Sequence, residues 1–179
     1  MVNNQTKAGV PLALLLFSFL LFAFSVENLF AQKISKCFVS SDLPDGRLYF
    51  IKPMKGFANG GNDLVFDITY KSKKDSIVFT FTYFDKKELD IDSLLFALGN
   101  KIVCCPAKKL YVDVSKSKWE YRYSANLLFS DLSAFFDQEN PPKLVVAAHK
   151  EHVELHIKNK MWEKQSSIVR KIFKLIKYN

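Results

Sequence analysis

The chain has 179 residues, 49% hydrophobic and 15% aromatic, with a formal net charge of +8 from 26 Lys and Arg against 18 Asp and Glu. That much apolar and aromatic material builds a core and excludes an intrinsically disordered chain. Three cysteines, an odd number, leave room for at most one intramolecular disulfide.

Residues 1–31 read as a secretory signal peptide. Met1 to Lys7 is polar with one cation, Val10 to Val26 is apolar apart from Ser18 and Ser25, and Ala31 is a small residue at the exit before Gln32. Cleavage is expected after Ala31, with Ser25 as a poorer site. The alternative, an uncleaved anchor, needs roughly 20 apolar residues, and this run sits at the low edge of that requirement. Ile34-Ser35-Lys36 before Cys37 is not a lipobox. The Phe30-Ala31-Gln32 exit resembles bacterial signal peptides. That resemblance covers the leader alone and implies a periplasmic or secreted protein. Residues 32–179 then form a single domain of ordinary size, with no transmembrane segment after cleavage.

In chain order, Pro44-Asp45-Gly46 is a turn followed by a strand from Arg47 to Lys52, and Asn59-Gly60-Gly61-Asn62 is the strongest turn signal. Leu64, Phe66, Ile68 and Tyr70 then sit at alternate positions, as do Ile77, Phe79, Phe81 and Tyr83. A hairpin pairing Tyr70 with Ile77 also pairs Ile68 with Phe79 and Phe66 with Phe81, so one register satisfies every pair. Asp90 or Asp92 as a cap, Leu94, Leu95 and Leu98 as an apolar side and Gly99 as a stop predict a helix. Lys101 to Cys105 reads as a short strand stopped by Pro106. A second hairpin pairs Leu110 with Tyr123, Val112 with Tyr121 and Val114 with Trp119. Ser130 caps a predicted short helix carrying Leu132, Phe135 and Phe136, ended by Asn140-Pro141-Pro142. Strand–strand–helix–strand therefore occurs twice, as in tandem ββαβ units.

An oxidising compartment favours a bridge between Cys37 and Cys105, with Cys104 as the alternative partner, since adjacent cysteines bridge only through a strained ring. Closing so long a loop stabilises by up to ~4 kcal/mol. The bland alternative is three unpaired thiols, because a free cysteine packs as a small hydrophobe.

All three histidines lie in one short segment, His149, His152 and His156. As a helix the segment places them on one face. As a hairpin turning at Lys150-Glu151, it pairs Ala148 with Val153, Val146 with Leu155 and Leu144 with Ile157, and sets His149 opposite His152 with Glu154 beside them. His156 would lie about 13 Å from His152, at about 3.3 Å per residue. The Val, Leu and Ile alternation favours the hairpin. His149, His152 and Glu154 are thus the candidate metal ligands, zinc being the metal that suits two imidazoles and a carboxylate. The plainer reading is a polar hairpin face that meets water. A Cys105–histidine dyad for nucleophilic work lacks an orienting third group.

From Lys160 to Lys177 the residues Met161, Trp162, Ile168, Val169, Ile172, Phe173, Leu175 and Ile176 fall on one side of a helix. Lys164, Arg170, Lys171, Lys174 and Lys177 fall largely on the other, and Arg170, Lys171, Lys174 and Lys177 are candidate contacts to an anionic membrane or polymer. The ordinary role of such a helix is to cover a sheet while its cations are solvated.

The expected fold is therefore α+β: a mainly antiparallel sheet of about seven or eight strands, covered on one face by two short helices and a long C-terminal helix. Export and the core-like placement of the aromatics exclude a nucleic-acid partner. No G-x-S-x-G, P-loop, dinucleotide fingerprint or C-x-x-C is present. The leading functional expectation is an exported, non-catalytic binding or accessory domain without a cofactor, whose partner is an envelope protein, lipid or glycan. The alternatives are a metal-dependent hydrolase on the histidine segment and a peripheral binder of anionic surfaces through the terminal helix.

Overall fold

Period-two alternation becomes strand almost everywhere it occurs. In the computed structural model, which describes residues 34–115, 117–149 and 151–177, the elements run β1 (Phe38–Leu43), β2 (Gly46–Asn59), β3 (Asn62–Lys71), β4 (Ser76–Asp85), β5 (Ile91–Leu98), β6 (Lys101–Ser115), β7 (Lys118–Leu128), α1 (Phe129–Phe136), β8 (Leu144–Ala148), β9 (Glu151–Leu155) and α2 (Asn159–Lys177). The expected signal peptide and its cleavage site lie outside the described residues. Cys37 to Asn179 forms one compact unit. Its nine strands make a sheet in the order β1-β2-β3-β4-β7-β6-β5-β8-β9, with every neighbouring pair antiparallel. The fold is thus α+β and mostly sheet.

The β3–β4 hairpin has the expected register, Phe66 opposite Phe81, Ile68 opposite Phe79 and Tyr70 opposite Ile77. The β6–β7 hairpin matches at Val112–Tyr121 and Val114–Trp119, then slips at a bulge, so that Lys109 rather than Leu110 faces Tyr123.

Five expectations fail here. The segment read as a helix over Asp90–Leu98 is β5, because Leu94 and Phe96 both point into the core and β6 and β8 supply a partner on each side. Gly99, expected as a helix stop, instead begins a two-residue hairpin turn between Leu98 and Lys101, at a φ of 58° that glycine alone adopts cheaply. Pro106 does not stop a strand. β6 runs through it, and Pro106, opposite Ser93, is where β6 leaves β5 for β7, a place where a missing N–H costs no ladder bond. Without the first helix, the tandem ββαβ repeat dissolves, and α1 is the single short helix among the described residues. Nor does Ser130 cap it. Helix α1 begins at Phe129, whose N–H is taken by the Asp75 carbonyl at 2.7 Å.

The sheet curls until its ends meet. Ala58 in β2 and His156 just beyond β9 exchange two backbone hydrogen bonds, of 2.8 and 3.1 Å. β2 thus serves β1 along its first half and the β9 tail near its end. Two register irregularities, around Pro53 and Gly56, bend it between those tasks. The concave side is filled by aromatic rings from sheet and helices. Phe66 stacks on Phe79 at 4.8 Å, Phe79 meets Phe96 edge-on at 5.2 Å, Phe96 meets Phe135 at 5.1 Å and Phe136 stacks on Trp162 at 5.5 Å. Each such ring, fully buried, contributes roughly 1.5–3 kcal/mol.

Candidate functional site

Helix α2 is held by its apolar side, as expected. Trp162, Val169, Ile172, Phe173 and Ile176 are buried, whereas Met161 and Leu175, expected on the same side, are exposed; Trp162 donates its indole N–H to the Gln138 carbonyl at 3.0 Å. The cations sort differently from the expected set. Lys171, Lys174 and Lys177 are exposed, but Arg170 is half-buried and folds back onto its own helix, reaching the Ser166 carbonyl at 3.3 Å and the Ser166 hydroxyl at 3.2 Å. Lys160 and Lys164 are exposed as well, and at 3.6 residues per turn they fall in one row with Lys171 and Lys174. Lys171 and Lys174 of the expected contacts thus stand in that row, and Lys177 lies off it. Among the described residues no helix is long and apolar enough to cross a membrane.

The histidine segment is a hairpin, but its register differs by two residues from the one expected. Ala148 faces Glu151, Ala147 faces His152 and Val146 faces Val153. A slip of two keeps every side chain on its original face, so alternation is blind to it. The closure with β2 selects the shorter pairing, because the His156 backbone is committed to Ala58. His149 consequently sits in the turn, its Nδ1 3.4 Å from Asp92 and 3.9 Å from Asp90, rather than opposite His152. His152 and Glu154 share the outer face of β9. The Glu154 carboxylate lies 2.9 Å from Lys143 Nζ and 3.3 Å from His156 Nε2. Among the described residues no group of three or more His, Cys, Asp or Glu side chains is placed to hold a metal ion.

Comparison with known proteins finds no matching family model, no matching curated protein and no matching solved structure.

Of the cysteines expected to bridge, Cys37 leads into β1, while Cys104 and Cys105 stand on β6, with β2, β3, β4 and β7 between them in the sheet order. The thiols of Cys104 and Cys105 are unbridged, the first exposed and the second buried. Burial, helped by the neighbouring Cys104, pushes the Cys105 thiol up to about 11. It is protonated at neutral pH and makes a poor nucleophile, which removes the support for a cysteine–histidine dyad.

Buried polar groups are used in holding the sheet. On its convex side the Arg122 guanidinium pairs with the buried Asp67 carboxylate and donates to Thr82 Oγ1 at 2.8 Å. On the concave side Tyr83 donates to Asp85 at 2.7 Å, and Asp85 also accepts from the Lys87 N–H at 2.9 Å. Tyr121 accepts from the Leu89 N–H at 2.7 Å and donates to the Lys87 carbonyl at 3.1 Å. These bonds dock the segment between β4 and β5 onto the inner wall. Burial, then the Asp85 carboxylate, holds the Tyr83 phenol far above its ordinary value, and burial raises Tyr121 and Tyr123 too.

A further feature escaped sequence reading. The second half of β6, residues 107–115, pairs with β7 but not with β5. Its apolar residues therefore stand in solvent although their alternation reads as core.

Proposed function

We propose that the protein is an exported, non-catalytic binding domain whose partner presents an anionic surface to the solvent face of α2. The observation that carries this reading is the row Lys160, Lys164, Lys171 and Lys174, exposed on a helix whose opposite side is locked into the core. A row of cations on an immobile helix meets an anionic surface without an ordering cost to the backbone. Because the apolar side of α2 is already used in packing, attraction is electrostatic and superficial, with no insertion of the helix into acyl chains. Each lysine near an anionic leaflet contributes about 1 kcal/mol, within a Debye length of about 8 Å at physiological salt.

Cosedimentation with vesicles rich in phosphatidylglycerol tests this. The protein is expected to bind them at low salt, to be released by high salt, and to ignore phosphatidylcholine vesicles. Lys164→Glu combined with Lys174→Glu should abolish binding and leave the melting temperature unchanged. Equal binding by that variant, or no binding at low salt, would sink the proposal.

A further inference from the structure

β6 exchanges neighbours at Pro106, so among the described residues no strand lies along the side of 107–115 that faces away from β7. Residues 108–114 are all exposed. The half-strand is nonetheless apolar: Leu110 is 51% exposed, Tyr111 47%, Val112 36% and Val114 58%. Sheet proteins normally blunt such an edge with charge, shortness or a covering loop, because its unpaired N–H and C=O groups are a template for another strand. Here the charge is not spread along the edge but sorted. Lys108 and Lys109 stand at one end and Asp113 at the other.

We propose that residues 107–115 are the interface of a homodimer, in which two copies pair antiparallel about a two-fold axis at Tyr111. With Leu110 bulged out of the ladder, that axis sets Asp113 of each copy across from Lys108 of the other, and Val112 across from Lys109. An axis at Asp113 would oppose two aspartates, and one at Lys109 would oppose two lysines. Opposite charges directly across a ladder attract and like charges repel, so charge selects the Tyr111 axis. The contact is self-complementary, as a two-fold interface must be. The bulge at Leu110 adds local twist that a flat foreign strand does not share, whereas a second copy carries the same bulge and the same twist.

The test is specific to register. Residues facing each other across antiparallel strands have Cα atoms about 4.5–5.5 Å apart, within disulfide reach. In a Cys37→Ser, Cys104→Ser background, purified in the form the cell produces, Tyr111→Cys should yield a covalent dimer under mild oxidation. Asp113→Cys should not, because its symmetry mate lies several residues away along the strand. Val39→Cys, on the other exposed edge β1, is the control for random collision. In sedimentation, Asp113→Lys should weaken self-association about tenfold, and adding Lys108→Asp and Lys109→Asp should restore it. Apart from the half-buried Cys37 all these positions are exposed, and circular dichroism checks that each variant is folded. Cross-linking of Tyr111→Cys no faster than Val39→Cys overturns the proposal, as does a sedimentation profile that stays monomeric or that none of the charge changes moves.

Discussion

Gly56 shows how much can rest on one missing Cβ. Its φ of 149° suits glycine, and a Cβ there would collide with Met161 Sδ and come within 3.1 Å of Ile157 Cδ1. The first turn of α2 can therefore lie directly on β2. Gly56→Ala should destabilise by about 2 kcal/mol through combined backbone strain and overlap, read as a lower urea midpoint at unchanged slope. Met161 is partly exposed, so Met161→Ala in the same chain should recover the overlap portion and leave the strain. Full additivity of the two losses would contradict this account. In the sequence Gly56 belongs to an apparent glycine-rich stretch, and nothing local marks it as the seat of a helix more than a hundred residues onward. The surface residues were easier to read. Cations on α2 and polar groups on β9 follow from spacing, whereas the pairing of Asp67 with Arg122 joins residues that only the sheet brings together.

At the level of elements, legibility followed degeneracy. The β3–β4 hairpin has one register that pairs apolar with apolar throughout, and that register formed. The β8–β9 hairpin has two that preserve the same faces, and contacts with β2 chose between them. The sequence of β5 is ambiguous because Leu94, Leu95 and Leu98 fit a helical stripe as well as Leu94 and Phe96 fit a strand face. Neighbours on both sides settled it. Helix α2 was legible because its stripe is long, but its anchor was not. Trp162 lies 5.5 Å from Phe136, 5.7 Å from Phe135 and 6.4 Å from Phe57, joining both helices to the sheet. Trp162→Ala should cost about 3–5 kcal/mol, while the solvent-side Lys174→Ala should stay within about 0.5 kcal/mol. Thermal melts of the two variants separate core from surface. Similar melting temperatures would show that α2 is not held by its apolar face.

For the whole molecule, the concentration of phenols in the interior makes stability sensitive to alkali. Tyr83, Tyr121 and Tyr123 are held above the ordinary phenol value of 10.0, and Cys105 is raised from 9.0 to about 11. Each group binds its proton more tightly folded than unfolded. Its contribution is therefore complete below the unfolded value and is lost as pH rises through the folded one. Stability should hold up to about pH 8.5 and fall above about pH 9. Tyrosinate absorbance from these phenols should appear with unfolding rather than ahead of it. A smooth titration near pH 10 of the still-folded protein would show that these rings are accessible.

The sequence by itself determined most of the extended segments, which side of them is apolar and where the amphipathic helix lies, because those are properties of neighbouring residues and their spacing. The tertiary structure alone decided that β4 pairs with β7, that β5 is a strand, that the β9 tail closes onto β2 and that half of β6 is left without a neighbour. A two-residue period defines faces but not partners, and it is unchanged by a slip of two. Partner and register are therefore settled only when distant strands and the two helices compete for the same concave space.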